Sequence, residues 1–424
     1  MTDQEPLSTE PYKGVRDFYP KDWAQLSRAF DLIRTRLALW GYEEYNASPL
    51  ERAELYEKKT SEEIVSEQTY TFEDRGGRRV TLRPEMTPTL ARMIAGKRRE
   101  LPMPQRWFSI PNCFRYERPQ RGRLREHFQL NVDLVGLPSG EADVEIVNVA
   151  SSVLKAFGAD PDDFVIRVNS RRLLTAATAA VGLDADQSRA YLRLLDKKDK
   201  MSAAEFEAAS REIAGNDPLS IIEKRQSPDV LDAIEEIEAL IEKLAERGVT
   251  NVVFDPTITR GFDYYTGMIF EVYDTDTENS RSMFGGGRYD GLVAAYGGDP
   301  VPAVGFGMGD VTLMNFLETH QLVPAAITGP LLYVGTPTPD DVTPAQLLAR
   351  DLRTRGLSVF VNLTHKSLGD QVKDADRRGI PYFAAYGAEE REKEMLKVKT
   401  LASGVVAELS ISEAAKLTRT QPEG

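Results

Sequence analysis

The sequence predicts an α+β protein: a mainly antiparallel sheet interrupted by a block of helices, then a separate α/β domain. Three observations carry this. At 424 residues the chain is too long for one compact domain. Residues 170–247 read almost wholly as charged amphipathic helix, with strand patterns on both sides. From Pro330 onward, short apolar runs alternate with helical segments, the rhythm of a parallel or mixed sheet. The expected divisions are a first part of the core at 1–169, a helical insertion at 170–247, a second part of the core at 248–327 and the α/β domain at 328–424.

Taken in order, residues 22–40 place Trp23, Leu26, Phe30, Ile33, Leu37 and Trp40 at helical spacing, and Gly41 ends the run. Tyr42–Leu50 reads as a short strand closing on Pro49. Residues 68–73 and 78–82 read as strands joined at Arg75-Gly76-Gly77. Thr87 opens a helix with Pro88 in a favourable second position. Residues 105–116 and 127–136 bracket a charged loop as a long antiparallel hairpin, and 141–157 are helical. Within the insertion, Tyr191–Lys200 and Val230–Arg247 are charged amphipathic segments. Strands return at Val252–Asp255 and Met268–Tyr273, a glycine-rich loop follows at 285–291, and Val304–Gly309 leads into a helix ending near Thr319. Residues 322–329 read as a linker. Beyond it, strands at 331–335, 358–362 and 382–386 alternate with helices at 344–355 and 367–378, and Val398 with 405–409 predicts a closing pair.

Hydrophobic content of 41% with 28% charged residues marks an ordinary globular protein and excludes a disordered one. The net charge of −13 argues against a general nucleic-acid binder, which needs a basic surface, and leaves room for a local basic patch. Residues 329–424 are neutral beside that acidic remainder, with 13 basic and 13 acidic groups. One cysteine, Cys113, excludes an internal disulfide and a CxxC metal site. The three histidines lie far apart in sequence, so no direct metal ligands are assigned. The acidic, polar N-terminus is unlike a signal peptide, and no apolar run approaches the roughly 20 residues of a membrane span. A cytoplasmic location is expected.

The chemistry concentrates in a few stretches. Residues 260–267, Arg-Gly-Phe-Asp-Tyr-Tyr-Thr-Gly, deliver a guanidinium, a carboxylate and the phenols of Tyr264 and Tyr265 from one tight turn. That set can neutralise an anion and hydrogen-bond a flat polar ring. Arg288, Tyr289 and Asp290 sit in the glycine-rich stretch 285–291. In the hairpin loop 114–125, five arginines (115, 118, 121, 123 and 125) accompany one acid, Glu117. Arginine's planar fork suits phosphate, so the two readings are a merely solvated tip and a triphosphate lying along the hairpin. Gln129 and Asp133 share a sheet face by even spacing, and Arg115 has matching parity with the register open. Glu85 and Thr87 precede a helix, as an ordinary cap or as an acid aimed at an ammonium group. Gly305-Phe-Gly-Met-Gly309 has G-x-G-x-G spacing, which does not fit a dinucleotide-binding fingerprint. A glycine-lined floor beneath a purine is the more natural reading, because absent side chains let a flat base approach.

Together these residues resemble the class II aminoacyl-tRNA synthetases and, within that class, the histidyl-tRNA synthetase family. The resemblance covers nearly the whole chain. Helix 22–40 with Pro49-Leu50-Glu51 is similar to the first class signature, Phe114–Asp133 to the second and Ala303–Leu317 to the third; Arg260–Gly267 and Gly286–Leu292 resemble the two histidine-specific signatures. The resemblance implies an antiparallel-sheet catalytic domain with a helical insertion and a C-terminal anticodon-binding domain. It implies activation of L-histidine with ATP and Mg²⁺, transfer to the 3′ end of tRNA(His), and a homodimer built on helix 22–40. It makes Arg115 and Arg260 catalytic, flanking the α-phosphate. Glu117, Arg123, Phe128, Gly307 and Gly309 would join Arg115 around ATP. Glu85, Thr87, Arg115 and Gln129 would hold the amino-acid end of histidine, with Arg260 and Tyr264 beside it, while Asp133 and Tyr265 grip the imidazole. Two departures stand out. Thr312 occupies the place where the third signature has an arginine for the γ-phosphate: either another arginine substitutes, ATP binds less tightly, or the first step is lost, and the expectation is a working enzyme with a rearranged pyrophosphate site. His127-Phe128 reverses an order that often has the aromatic first. The alternative is a non-catalytic paralogue serving as histidine-sensing regulatory subunit of ATP phosphoribosyltransferase.

Overall fold

The computed structural model describes residues 7–57, 68–138, 140–198, 201–260, 264–325 and 329–418. The chain divides into two compact units, Met1–Ala325 and Ala326–Gly424.

The first unit is built on a nine-stranded sheet. In chain order the strands of this unit are β1 (Glu43–Glu44), β2 (Leu50–Arg52), β3 (Tyr70–Glu73), β4 (Arg79–Leu82), β5 (Gln105–Ser109), β6 (Asn112–Phe114), β7 (Glu126–Val135), β8 (Phe164–Ser170), β9 (Val252–Phe254), β10 (Met268–Asp274), β11 (Ser282–Arg288) and β12 (Ala303–Gly309). The order across the main sheet is β1-β5-β7-β12-β11-β10-β8-β9, with β6 on β7. From β5 to β8 every neighbouring pair is antiparallel; β1 and β9 add parallel edges. β2, β4 and β3 form a separate small sheet.

The expected strand over Tyr42–Leu50 is thus two pieces in two sheets. Pro49 lacks the N–H that a continuous ladder needs, and the chain changes sheet there. The glycines at 285–287, expected in a loop, lie inside β11 at the centre of the sheet.

One face of the sheet carries the main core. Pro20 starts a helix, Pro20–Leu39, that buries Leu26, Ala29, Phe30, Ile33 and Leu37 at three- and four-residue spacing. Together with helix Gly140–Ala156, it covers Leu130, Val132 and Leu134 of β7. Each such fully buried aliphatic side chain stabilises the fold by about 1.5–3 kcal/mol. Between β8 and β9 run five helices among the described residues, Arg171–Ala180, Ala185–Leu195, Ala203–Ala214, Pro218–Lys224 and Pro228–Glu246. Asp184 and Ser202 begin the second and third of them with reciprocal capping boxes.

The second unit has strands β13 (Leu332–Gly335), β14 (Val359–Val361), β15 (Tyr382–Ala385), β16 (Met395–Thr400) and β17 (Val406–Ser410), in the order β14-β13-β15-β16-β17. The first three are parallel and the last two antiparallel, so the sheet is mixed. Helices Val342–Thr354 and Leu368–Arg377 cover it, and it has its own apolar core around Leu332, Val334, Leu352 and Ala384.

Candidate active site

The opposite face of β7 is polar. Period-two alternation points Gln129, Asn131 and Asp133 away from the core. Space for a ligand exists there because the neighbouring strands present glycine. Asp133 pairs with Gly305 and Asn131 with Gly307 on β12. Gly305 and Gly307 pair in turn with Gly287 and Gly285 on β11. Paired residues share a face, so four positions on two central strands lack side chains on the same side. A methyl group at Gly305 would fall on Asp133 Oδ1, one at Gly285 on the Arg260 guanidinium, and one at Gly307 within 2.8 Å of Gln129 Nε2. The glycines therefore seat the polar side chains themselves.

The resulting cavity is lined by Glu85, Thr87, Arg115, Gln129, Asp133, Arg260, Tyr264 and Tyr265, with Asn131, Tyr289, Phe306 and the glycines completing it. The open register is now fixed: Cys113 pairs with His127, and Arg115 N donates to Arg125 O at 2.9 Å, which brings Arg115 to the cavity's edge. Its Nε donates to Pro84 O at 2.9 Å. Helix Thr87–Lys97 presents Thr87 at its start, beside Glu85. The Tyr264 hydroxyl donates to Glu85 Oε2 at 3.1 Å. Arg260 adopts a left-handed φ of 50° and pairs with Glu271 at 3.2 Å. Gly261, Phe262 and Asp263, part of the same predicted turn, lie outside the described residues.

Burial sets the electrostatics. The Asp133 carboxyl is pushed up to about 7 by desolvation, and the hydrogen bond from the Tyr289 hydroxyl works against that rise. Burial also holds the phenols of Tyr264 and Tyr265 neutral, well above the ordinary range for Tyr264. His127, on the polar face of β7, is pulled down to about 3 by burial and then by the charges of Arg115 and Arg16. It is a neutral ring at ordinary pH.

Other expected residues lie apart from this cavity. Glu117 and Arg123 pair with each other at 3.3 Å, and the arginine is half exposed. Gly309 precedes helix Asp310–Thr319, with His127 Cδ2 about 4.0 Å from where its methyl would be. Phe128 does not face this side at all. It packs against Phe18, Trp23 and Phe30 at centroid distances of 6.2, 5.8 and 5.4 Å, because even-numbered side chains of β7 turn to the helical layer. His127 holds the position on the polar face that the expectation gave to Phe128. Arg288 is a brace: it pairs with Asp143 at 2.8 Å and with Asp290 at 3.2 Å. Asn131 and Tyr289 were missed as lining residues. The parity of Gln129 and Asp133 already included Asn131, whereas nothing local marks Tyr289 as pointing at Asp133.

The histidyl-tRNA synthetase family model matches residues 14–311, and an anticodon-binding-domain model matches 333–421. A histidine–tRNA ligase of Leptospira biflexa is 39% identical over 97% of both chains. One of Natronomonas pharaonis is 38% identical over 92% of this chain and 94% of that relative. The crystal structure of histidyl-tRNA synthetase from Nostoc sp. PCC 7120 superposes with a TM-score of 0.81 over 97% of this chain and 99% of that one, at 24% identity, which speaks for the fold. The antiparallel sheet with its glycine-floored polar cavity, followed by an anticodon-binding domain, is that of a class II aminoacyl-tRNA synthetase, an α+β ligase. Within that class the chain belongs to the histidyl-tRNA synthetase family. The regulatory-subunit alternative is not favoured: relatives aligned over nearly the whole chain are ligases, and the anticodon-binding region is present.

Proposed function

We propose that the cavity binds L-histidine and the α-phosphate of ATP, forms histidyl-adenylate, and passes the histidyl group to the 3′ end of tRNA(His). One observation carries this reading: Asp133, Tyr264, Tyr265, Glu85, Gln129, Arg115 and Arg260 line a single cavity. A neutral imidazole has one N–H donor and one bare acceptor. Asp133 accepts from the first and the Tyr265 hydroxyl donates to the second. Glu85, Thr87 and Gln129 receive the ammonium group. Arg115 and Arg260 meet the carboxylate and α-phosphate from two sides, where negative charge grows as the carboxylate attacks phosphorus and pyrophosphate leaves. Fixed guanidinium groups in a partly dry site lower that barrier because they need no reorganisation. A ligand lacking the ring nitrogens forfeits both of these contacts, and sites built to hydrogen-bond such groups discriminate by roughly 10⁴–10⁵.

Among the described residues no group of three or more His, Cys, Asp or Glu is placed to hold a metal. Mg²⁺ in this reading accompanies the nucleotide's phosphates, and no residue is assigned to it. The 329–424 region reads the anticodon arm, and the partly exposed Trp23 face of helix Pro20–Leu39 is the proposed dimer surface. The test is histidine-dependent exchange of pyrophosphate into ATP. Wild-type protein should exchange, and Asp133→Ala should lose histidine dependence; absence of exchange by the wild type at millimolar ATP sinks the reading.

A further inference from the structure

We infer that Arg16, from the segment preceding the first helix, is a nucleotide-binding residue that meets the phosphate tail of ATP at the end of the cleft where Thr312 brings no charge. The inference rests on the ATP reading above and extends the site beyond the cavity. Asp310 is the starting point. It is the first residue of helix Asp310–Thr319, and its side chain is 1% exposed. One carboxylate oxygen accepts from Phe128 N at 3.0 Å, and the other accepts from Arg16 Nη2 at 2.6 Å. The guanidinium is thereby fixed beside the start of that helix, with the Phe18 ring 4.8 Å beneath it.

Asp310 directly follows β12, the strand whose glycines floor the cavity. Gln129 pairs with Gly309, and His127 lies two residues further along the same face of β7. Thr312 itself is occupied, its hydroxyl donating to Met283 O at 2.7 Å with Gly309 O a second acceptor within reach at 3.1 Å. Three of the five hairpin arginines are engaged elsewhere. Arg121 pairs with Glu278 at 3.4 Å and Arg123 with Glu117 at 3.3 Å, while Arg125 lies 4.0 Å over the Tyr116 ring. Arg16 and Arg115 are the two cations close enough to His127 to depress its titration.

A second, independent sign is an orphaned donor. Among the described residues, two arginine Nε atoms are buried without a hydrogen-bond partner, those of Arg260 and Arg16. A buried donor without a partner is costly, and a bound acceptor relieves it. Arg260 lines the cavity, where a phosphate oxygen can reach it. The same unmet donor on Arg16, on a guanidinium held by a buried carboxylate, marks a second position for an anionic oxygen. Charge-assisted contact to phosphate is what a planar fork with a spare N–H provides.

The experiment compares binding of ATP and adenosine to full-length protein by calorimetry, in the wild type, Arg16→Gln and Arg123→Gln. The expected result is a preference of the wild type for ATP that shrinks at least tenfold in R16Q, with adenosine affinity kept within about twofold. An R16Q variant that keeps the wild-type preference overturns the inference, as does a loss confined to R123Q. If R16Q does not fold at the wild-type melting temperature, Arg16→Lys is measured in its place, with a partial loss expected and an unchanged preference again overturning the inference. A wild type that binds ATP no better than adenosine and shows no exchange overturns the ATP reading as well. That result is distinct from a wild type that exchanges normally while R16Q is indifferent.

Discussion

Asp133 is where burial and chemistry meet most sharply. Its carboxyl titrates near 7 in the folded protein, against 3.8 for a free side chain. Folded-state titration above the unfolded value means that between about 4 and 7 the native state keeps a proton the unfolded chain has lost. Stability from this group is full below that window and declines as pH rises through it, by about 1.4 kcal/mol per pH unit. Asp133→Asn removes the titration, so its stability should fall less steeply over that range; parallel curves from denaturant melts at pH 4.5, 6 and 7.5 would refute the burial argument. Tyr289→Phe tests the same carboxylate from the other side. The phenol stabilises the ionised form, so its loss should push the titration higher still. The rising limb of kcat/KM for histidine should move to higher pH in Y289F, with KM for ATP little changed. An unmoved limb would leave Tyr289 as packing alone.

At the scale of the element, the decisive feature is a pair of strands emptied of side chains on one face. The alternating glycines of 305–309 were legible in the sequence, and so was the shared parity of Gln129 and Asp133. What they floor was not, because that depends on register across β7, β12 and β11, which no local pattern encodes. The run 285–287 reads as a loop for the same reason: three glycines have low strand propensity, and only pairing with both neighbours makes them a strand. Phe128 was misdirected by motif order, although alternation along β7 already assigns it to the core face. Gly305→Ala and Gly286→Ala separate the two roles of these glycines. At Gly305 the added methyl strikes the Asp133 carboxylate as well as Val132 O. Histidine-dependent exchange should drop by at least tenfold in G305A. At Gly286, on the opposite face, the methyl meets Gly305 O and the Phe306 backbone. Overpacking of that kind costs about 1–3 kcal/mol. G286A should therefore lower the melting temperature, and a variant as stable as wild type would mean the strands separate more easily than their spacing implies.

For the whole molecule, two units with separate cores carry two tasks that can be pulled apart. The second unit has a five-stranded sheet and its own buried cluster, so residues 326–424 meet the requirement for independent, cooperative unfolding. The sequence showed this division through the change of rhythm at Pro330 and through a charge balance unlike that of the acidic remainder. All cavity-lining residues belong to Met1–Ala325. A chain ending at 325 should therefore keep histidine-dependent pyrophosphate exchange within about threefold of the full chain. Transfer to tRNA is different, because in the proposed reading it draws on binding at two places along one RNA. Losing one of two linked contacts removes an effective-concentration gain of roughly 10²–10⁴. The truncated chain should thus aminoacylate tRNA(His) at least a hundredfold more slowly at sub-saturating tRNA, and added excess tRNA should recover part of the rate. Measuring both reactions on the same preparation decides the matter. Exchange lost together with transfer would mean the first unit does not hold its site alone, and transfer undiminished would mean residues 326–424 contribute no tRNA affinity.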